Sequence, residues 1–147
     1  MAREGTQILM INARDEVLMY LRDDFPHIPY PNMWAIPGGM LEAGETPHDC
    51  VIREIKEEMD LALDPDRVVH AMTHERDFGI EHSFATRIEL DIDAITLTEG
   101  QRLKWFSRDA AAATQLAYAD NQVFEEFFGE SRHLAELGEA QQPTPAS

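Results

Sequence analysis

Three glutamates are spaced so that they share one face of a predicted helix near the middle of the chain. Glu54, Glu57 and Glu58 stand three and four residues apart, and an α-helix carries such positions on the same side. Carboxylates that close raise one another's pKa unless a cation neutralises them, and Mg²⁺ prefers oxygen ligands. The cluster therefore indicates either a divalent metal site or a solvated acidic face paired with Arg53 and Lys56.

The residues before this helix favour the metal site. Gly38, Gly39 and Gly44 are predicted to lie in one turn, and Glu45 stands just before the helix. Glycine allows positive φ and a close approach of the backbone to a ligand. A predicted strand at 33–36 runs into this turn. A strand, a glycine-rich turn and an acidic helix together suit a cation and the phosphates bound to it.

Local signals set the limits of the helix. Thr46 is a good N-cap, Pro47 suits the first helical position, and Asp49 is an acid in the first turn. The helix is predicted to end near Leu61, before the stop at Asp64-Pro65. Its buried stripe is predicted to comprise Val51, Ile52, Ile55 and Met59.

From Gly39 to Leu61 the sequence reads G-x5-E-x7-R-E-I-x-E-E-x-D-L, which resembles the Nudix box of the Nudix hydrolases. One position departs from that pattern, because Asp60 stands where the family has glycine. A helix end commonly needs a left-handed residue there, and aspartate tolerates that conformation better than most residues. We expect a modest stability cost and no loss of chemistry.

The resemblance implies an α/β fold, a single-domain Nudix-type α/β/α sandwich with a mixed sheet over residues 1–129. It also implies hydrolysis of a pyrophosphate bond in a nucleoside diphosphate linked to another moiety, with Mg²⁺ or Mn²⁺ as cofactor. A MutT-type nucleoside triphosphate pyrophosphohydrolase is favoured. The alternatives are hydrolysis of ADP-ribose, a nucleotide sugar or a dinucleoside polyphosphate, and a nucleotide-binding Nudix protein without catalysis.

Residue roles follow from the same resemblance. Arg53 would orient Glu54 or anchor the turn through Glu45, and Glu54 would be a metal ligand or the base that activates water. The segment Glu99–Gln101, followed by Trp105, is similar to a MutT-type segment that supplies a further ligand or base, although an ordinary turn position explains Glu99 equally well. The full set of implied metal ligands is Glu54, Glu57, Glu58, Glu99 and the carbonyl of Gly39 (or Gly38).

Two further residues resemble substrate-binding positions of MutT-type members. Arg22 corresponds to an arginine near the substrate phosphates, although a charge on an edge strand explains it too. Asp120 falls roughly where such members have a base-reading asparagine, and its acceptor oxygens suit N–H groups of a base.

Composition limits the partners. The chain has 147 residues and a formal net charge of -16, which disfavours nucleic-acid polymers and anionic membranes. A single cysteine, Cys50, excludes an intrachain disulfide, and the apolar run near the N-terminus is too short for a signal peptide. We therefore predict a cytoplasmic protein that binds a small nucleotide. A homodimer through Phe124, Phe127 and Phe128 and core packing of these rings explain the apolar edge equally well.

The remaining pattern predicts the elements that position the site. Strands 7–11 and 17–21 should form a hairpin, and the proline-rich segment 23–32 should be a loop. The other predicted elements are strands at 67–73, 82–92 and 103–106, a short helix capped by Ser107, a helix at 122–128, and a polar, flexible tail at 130–147.

Overall fold

A seven-stranded sheet forms the centre of the described part of the chain. The computed structural model describes residues 3–143. The strands are β1 (Arg3–Ile11), β2 (Val17–Leu21), β3 (Trp34–Ala35), β4 (Gly38–Met40), β5 (Val69–Arg76), β6 (Gly79–Arg87) and β7 (Leu103–Phe106). The helices are α1 (Pro47–Met59), α2 (Arg108–Ala112), α3 (Asp120–Gly129) and α4 (Arg132–Ala135). None of the helices within residues 3–143 is long and apolar enough to cross a membrane.

Strand β1 organises the sheet. It runs parallel to β6 along its whole length, so that residues 3–11 pair with residues 79–87. Its other edge is shared by two antiparallel strands, with β4 at residues 5–7 and β2 at Ile11. Residues 5–11 of β1 are all buried, because layers cover both faces of the sheet and favour a continuous apolar run. The sheet is therefore mixed, as predicted.

Two separate cores lie on the two faces of the sheet. Ile8 and Met10 face α1, whereas Leu9 and Ile11 face α3, as the alternation of a strand requires. On the α1 side the buried cluster includes Leu18, Val51, Ile55, Met59, Phe84 and Ile88. This arrangement confirms the predicted α/β/α sandwich. The rings of Phe124 and Phe127 are buried in the α3 core and Phe128 packs against them, so core packing accounts for that apolar edge.

The structure corrects the predicted glycine turn. Gly38 and Gly39 lie in β4, paired with β1, and Gly44 alone of the three has positive φ, at 77°. The backbones of β4 and β1 are so close that a Cβ at Gly38 would overlap the carbonyl oxygen of Thr6. Glycine is thus needed there for strand pairing.

Part of the predicted polar tail, residues 130–143, packs against the rest of the described chain. His133, Leu137 and Gln141 are buried, and Gln141 forms a parallel bridge with Ile88. The Gln141 side chain donates to Oγ1 of Thr86 at 2.8 Å and accepts from a backbone amide. Polar composition is compatible with packing here because the polar groups find hydrogen-bond partners. Residues 144–147 lie outside the described residues.

Candidate active site

Helix α1 carries the acidic cluster, and its ends follow the local signals. The Thr46 hydroxyl accepts from the amide of Asp49 at 3.1 Å, and Pro47 is the first helical residue. At the other end Asp60 has φ 54° and ψ 40°, and its amide donates to the carbonyl of Lys56. The left-handed conformation predicted for Asp60 is therefore confirmed.

Arg53 connects the glycine-containing segment to the glutamates. Its Nε and Nη2 atoms donate to the two carboxylate oxygens of Glu45, at 2.6 and 2.9 Å. Its Nη1 atom donates to Glu54 at 3.0 Å and to Glu57 at 3.1 Å, while Nη2 also reaches the carbonyl of Met40. These hydrogen bonds from Arg53 lower the pKa of Glu45 to about 2. The predicted contacts of Arg53 with Glu45 and Glu54 are both present.

Glu58 lies beside Glu54 and Glu99 in a half-buried position. Burial, followed by the charges of Glu54 and Glu99, raises the pKa of Glu58 to about 8. The pKa of Glu54 is raised as well, again chiefly by burial, and its carboxyl shares a hydrogen bond with Glu58. Glu54, Glu58 and Glu99 thus bring more negative charge together than the nearby cationic side chains neutralise.

The residues fit a divalent cation, although their present positions do not form a closed cage. Within residues 3–143 no three acidic, imidazole or thiol side chains already converge closely enough to hold a metal ion. The Nη1 atom of Arg53 bridges Glu54 and Glu57. Mg²⁺ usually takes one or two carboxylates and completes its shell with waters and substrate phosphates. An open group of carboxylate oxygens is therefore a suitable donor set.

Gly39 makes room for Glu54. A Cβ on Gly39 would overlap the carboxyl group of Glu54, so only glycine lets that side chain cross β4 at this point. The Gly39 carbonyl accepts from the Thr6 hydroxyl at 3.1 Å and from the Cys50 thiol at 3.7 Å. Burial raises the pKa of Cys50 to about 11, so the thiol serves as a neutral donor. Metal binding by the Gly39 carbonyl stays a prediction.

Glu99 is positioned by its neighbours in sequence. The amide of Thr98 donates to the carbonyl of Glu58 at 3.0 Å, which ties this loop to the end of α1. On the other side of Glu99, the side-chain amide of Gln101 donates to the carbonyl of Arg22 at 2.8 Å. The structure thus brings Glu99 to the end of α1, and Thr98, which no sequence signal had singled out, anchors the loop there.

Comparison with known proteins decides the family. The family model described as the NUDIX domain matches residues 1–127. The chain belongs to the Nudix family. The motif from Gly39 to Leu61 and the sandwich fold are the features by which the sequence predicted this membership.

Individual relatives of this Nudix chain carry several names. The RNA pyrophosphohydrolase of Zymomonas mobilis is 30% identical over 104 residues, which are 71% of this chain and 61% of that protein. A MutT structure from work on Aliivibrio salmonicida and Vibrio cholerae is 21% identical, with a TM-score of 0.67, over 84% of this chain and 94% of that one. The NUDIX domain of Shewanella oneidensis NrtR, solved with ADP ribose, is 16% identical, with a TM-score of 0.68, over 86% of each chain. The two structures show a shared fold.

Arg22 of the Nudix domain lies at the end of β2, next to Tyr20. Its Nη1 atom donates to the Tyr20 hydroxyl at 3.0 Å and its Nε atom donates to the carbonyl of Pro29 at 2.9 Å. Burial raises the pKa of Tyr20 to about 12, the charge of Arg22 opposes this rise, and the charge of Glu58 adds to it. Tyr20 thus contacts Arg22 directly. It was not among the predicted site residues, although residues two apart share a strand face.

Asp120 lies away from the glutamates, in the first turn of α3. Its side chain is buried, and its Oδ2 atom accepts from the amide of Ile36 at 2.8 Å. Burial raises the pKa of Asp120 to about 8, against the effects of the Ile36 amide and of the charges on Arg76 and Arg22. Arg22 and Asp120 are close enough to interact, and contact of Asp120 with a base stays a prediction.

The Asp120→Asn variant should be more stable than wild type at pH 8. In the unfolded chain the carboxyl titrates near its model value of 3.8, whereas in the folded protein its pKa is about 8. Wild-type stability should therefore fall as the pH rises from about 4 to 8 and then level off, because the unfolded state binds fewer protons in this window. Asparagine keeps the acceptor for Ile36, and we expect a gain of about 2 kcal/mol at pH 8 and none near pH 4.

Thermal unfolding of both proteins checks this expectation. It is measured from about pH 4 to about pH 8.5, a range that covers the pKa values of the unfolded and folded states. Asp24→Asn, at an exposed loop position, is the matched control and should leave the pH profile unchanged. A profile of Asp120→Asn that runs parallel to wild type would contradict the assignment.

Proposed function

We propose that the protein is a Mg²⁺- or Mn²⁺-dependent pyrophosphohydrolase of small nucleotides, with nucleoside triphosphates as the favoured substrates. The observation that carries this proposal is the row of Glu54, Glu57 and Glu58 on α1 beside the Arg53–Glu45 ion pair, with the Glu99 loop hydrogen-bonded to the end of the same helix. Such a cluster suits a cation that also binds phosphate oxygens. The family membership supports hydrolysis of a pyrophosphate bond.

The residues of the site would have different roles in this reaction. Glu54, Glu57, Glu58 and Glu99 would hold the ion, which when bound neutralises phosphate charge and lowers the pKa of a water molecule. A carboxylate oxygen of Glu54 or Glu99 accepts the proton of the attacking water. The water oxygen bonds to phosphorus while the bond from phosphorus to the bridging oxygen breaks, and that oxygen leaves with the second phosphate product. Arg53 keeps Glu54 in position through the hydrogen bond at 3.0 Å.

Net charge favours a small substrate over a polymer. The chain carries a formal charge of -16, and polyanion binding generally relies on many lysine and arginine contacts to phosphates. One relative is named as an RNA pyrophosphohydrolase, so the 5′-triphosphate end of an RNA is the second candidate substrate. ADP ribose is bound in the NrtR structure, which makes it the third.

A hydrolysis panel tests the proposed function. Purified protein is assayed for pyrophosphate and phosphate release from nucleoside triphosphates, ADP-ribose, a dinucleoside tetraphosphate and a 5′-triphosphorylated oligoribonucleotide, with Mg²⁺ and with a chelator. We expect the highest kcat/KM with a nucleoside triphosphate and no turnover in the chelator. Equal rates with and without Mg²⁺, or no turnover of any compound, would refute the proposal. A preference for the oligoribonucleotide would instead select the second candidate.

A further inference from the structure

Two tyrosines face each other on the surface next to Arg22. Tyr30 comes from the proline-rich loop and Tyr118 from the turn before α3, and their ring centroids are 4.6 Å apart at an interplanar angle of 53°. Both residues are exposed, at 43% and 47%. Large aromatic rings that stay in contact with solvent as a pair are typical of interaction sites rather than of scattered surface residues.

The backbone at both tyrosines is strained. Tyr30 has φ 51° and Tyr118 has φ 54°, in the left-handed region that bulky side chains rarely adopt. Glycine or asparagine would fit these turns at lower cost, and Asn32 does so two residues after Tyr30, at φ 57°. Strained bulky residues cluster at ligand sites, where the side chain has a use that offsets the strain.

Arg22 links the tyrosine pair to the loop that carries Glu99. The guanidinium carbon of Arg22 sits 5.3 Å from the ring centroid of Tyr118. The loop that carries Glu99 is fixed to the same segment, because the Gln101 side chain donates to the carbonyl of Arg22 at 2.8 Å and the Gln101 amide donates to the carbonyl of Leu21 at 2.8 Å. Arg22 itself donates to the Tyr20 hydroxyl and to the carbonyl of Pro29, and its guanidinium places a positive charge beside the pair, which suits a phosphate group.

We propose that Tyr30 and Tyr118 form a stacking surface for the base of the nucleotide whose phosphates bind at the acidic cluster. This inference rests on the proposed function, because it needs a nucleotide at that cluster. The occupant must be planar, since flat rings stack on tyrosine without requiring hydrogen bonds, and it must be joined to phosphates that reach Arg22 and the glutamates. A nucleobase meets both conditions.

The proposed surface also separates two tasks in recognition. Stacking tolerates every base because each has a π-face. Edge contacts discriminate between bases, and the buried carboxyl of Asp120, two residues after Tyr118, is the predicted residue for that contact. We therefore expect substitutions of the two tyrosines to weaken the binding of all nucleotides to a similar degree.

The test compares leucine and phenylalanine at both positions. The double variant Tyr30→Leu/Tyr118→Leu loses the rings, and Tyr30→Phe/Tyr118→Phe keeps them. Affinity for an α,β-methylene nucleoside triphosphate with Mg²⁺ is measured by calorimetry, and inorganic tripolyphosphate serves as the ligand without a base. We expect about a 10-fold higher Kd for the nucleotide in the leucine variant, less than a twofold change in the phenylalanine variant, and unchanged tripolyphosphate affinity in both.

Phe25→Leu is the matched control, because Phe25 is an exposed ring of the same loop, at 50%, outside the pair. Thermal unfolding of every variant shows that it is folded. The stacking role would be overturned if the leucine variant bound the nucleotide as tightly as wild type, or if it lost affinity for tripolyphosphate to the same extent as for the nucleotide. Either result would leave the proposed hydrolysis intact. Failure of wild type to bind or hydrolyse any nucleotide would overturn both.

Discussion

Replacing Glu58 by glutamine should abolish turnover and at the same time raise the thermal stability of the metal-free protein. Glu58 is half-buried beside Glu54 and Glu99, whose charges oppose its ionisation. Glutamine carries no charge into this environment, so we expect a gain of about 1 kcal/mol, or a Tm higher by about 3 °C. The same change removes a proposed metal ligand, and kcat should fall about 100-fold or more.

Mg²⁺ should reverse this order of stability. An ion that binds only the folded state raises the Tm of wild type in proportion to its affinity, and the Glu58→Gln variant should gain far less. Glu75→Gln, which alters an exposed glutamate on β5, is the matched control and should behave as wild type in both assays. Equal Mg²⁺-dependent shifts for wild type and Glu58→Gln would refute the role of Glu58 as a ligand.

Gly39→Ala should cost nearly as much activity through a single added methyl group. The new Cβ would overlap the Glu54 carboxyl, and the flexible glutamate side chain will move rather than the paired β4 backbone. Displacement of a catalytic group by about 1 Å can lower the rate about 100-fold. We therefore expect a strong loss of kcat with little change in Tm, measured on the best nucleotide substrate of the panel.

Gly44→Ala provides the opposite pattern and makes the comparison decisive. Gly44 has φ 77°, and a Cβ there meets nothing within 4 Å. Alanine in this conformation costs about 1 kcal/mol, so its Tm should fall while kcat is kept. If Gly39→Ala were to lose stability and activity together, the methyl group would be disturbing β4 and not Glu54 alone.

Sequence alone predicted the acidic helix and its principal ion pair because local rules decide both. Thr46 and Asp60 mark the helix ends through backbone conformation, which depends on residue type. The eight-residue separation of Glu45 and Arg53 spans the helix N-terminus, and the two side chains meet at 2.6 Å. The apolar run at residues 7–11 likewise predicted a strand, and the structure shows that layers cover it on both faces.

Contacts between distant segments could not be predicted in this way. The amide of Thr98 donates to the carbonyl of Glu58 at 3.0 Å, although the two residues are 40 positions apart. No local pattern in the sequence indicates such a contact. Tyr20 could have been grouped with Arg22 by strand alternation, but its proximity to Glu58 depends on how β2 sits beside α1. The packing of residues 130–143 could not be predicted either, because polar composition says little about which hydrogen bonds will be satisfied.

The packed part of the chain extends beyond the residues that match the family model, because Gln141 contacts the end of β6. The match to the family ends at residue 127, yet the Gln141 backbone pairs with Arg87 and Glu89, and its side chain satisfies the amide of Asp64. A chain shortened to residue 127 would leave the end of β6 as an open sheet edge, the kind of edge on which other chains pair and aggregate. We therefore expect a protein shortened to residue 127 to aggregate more readily than the full chain.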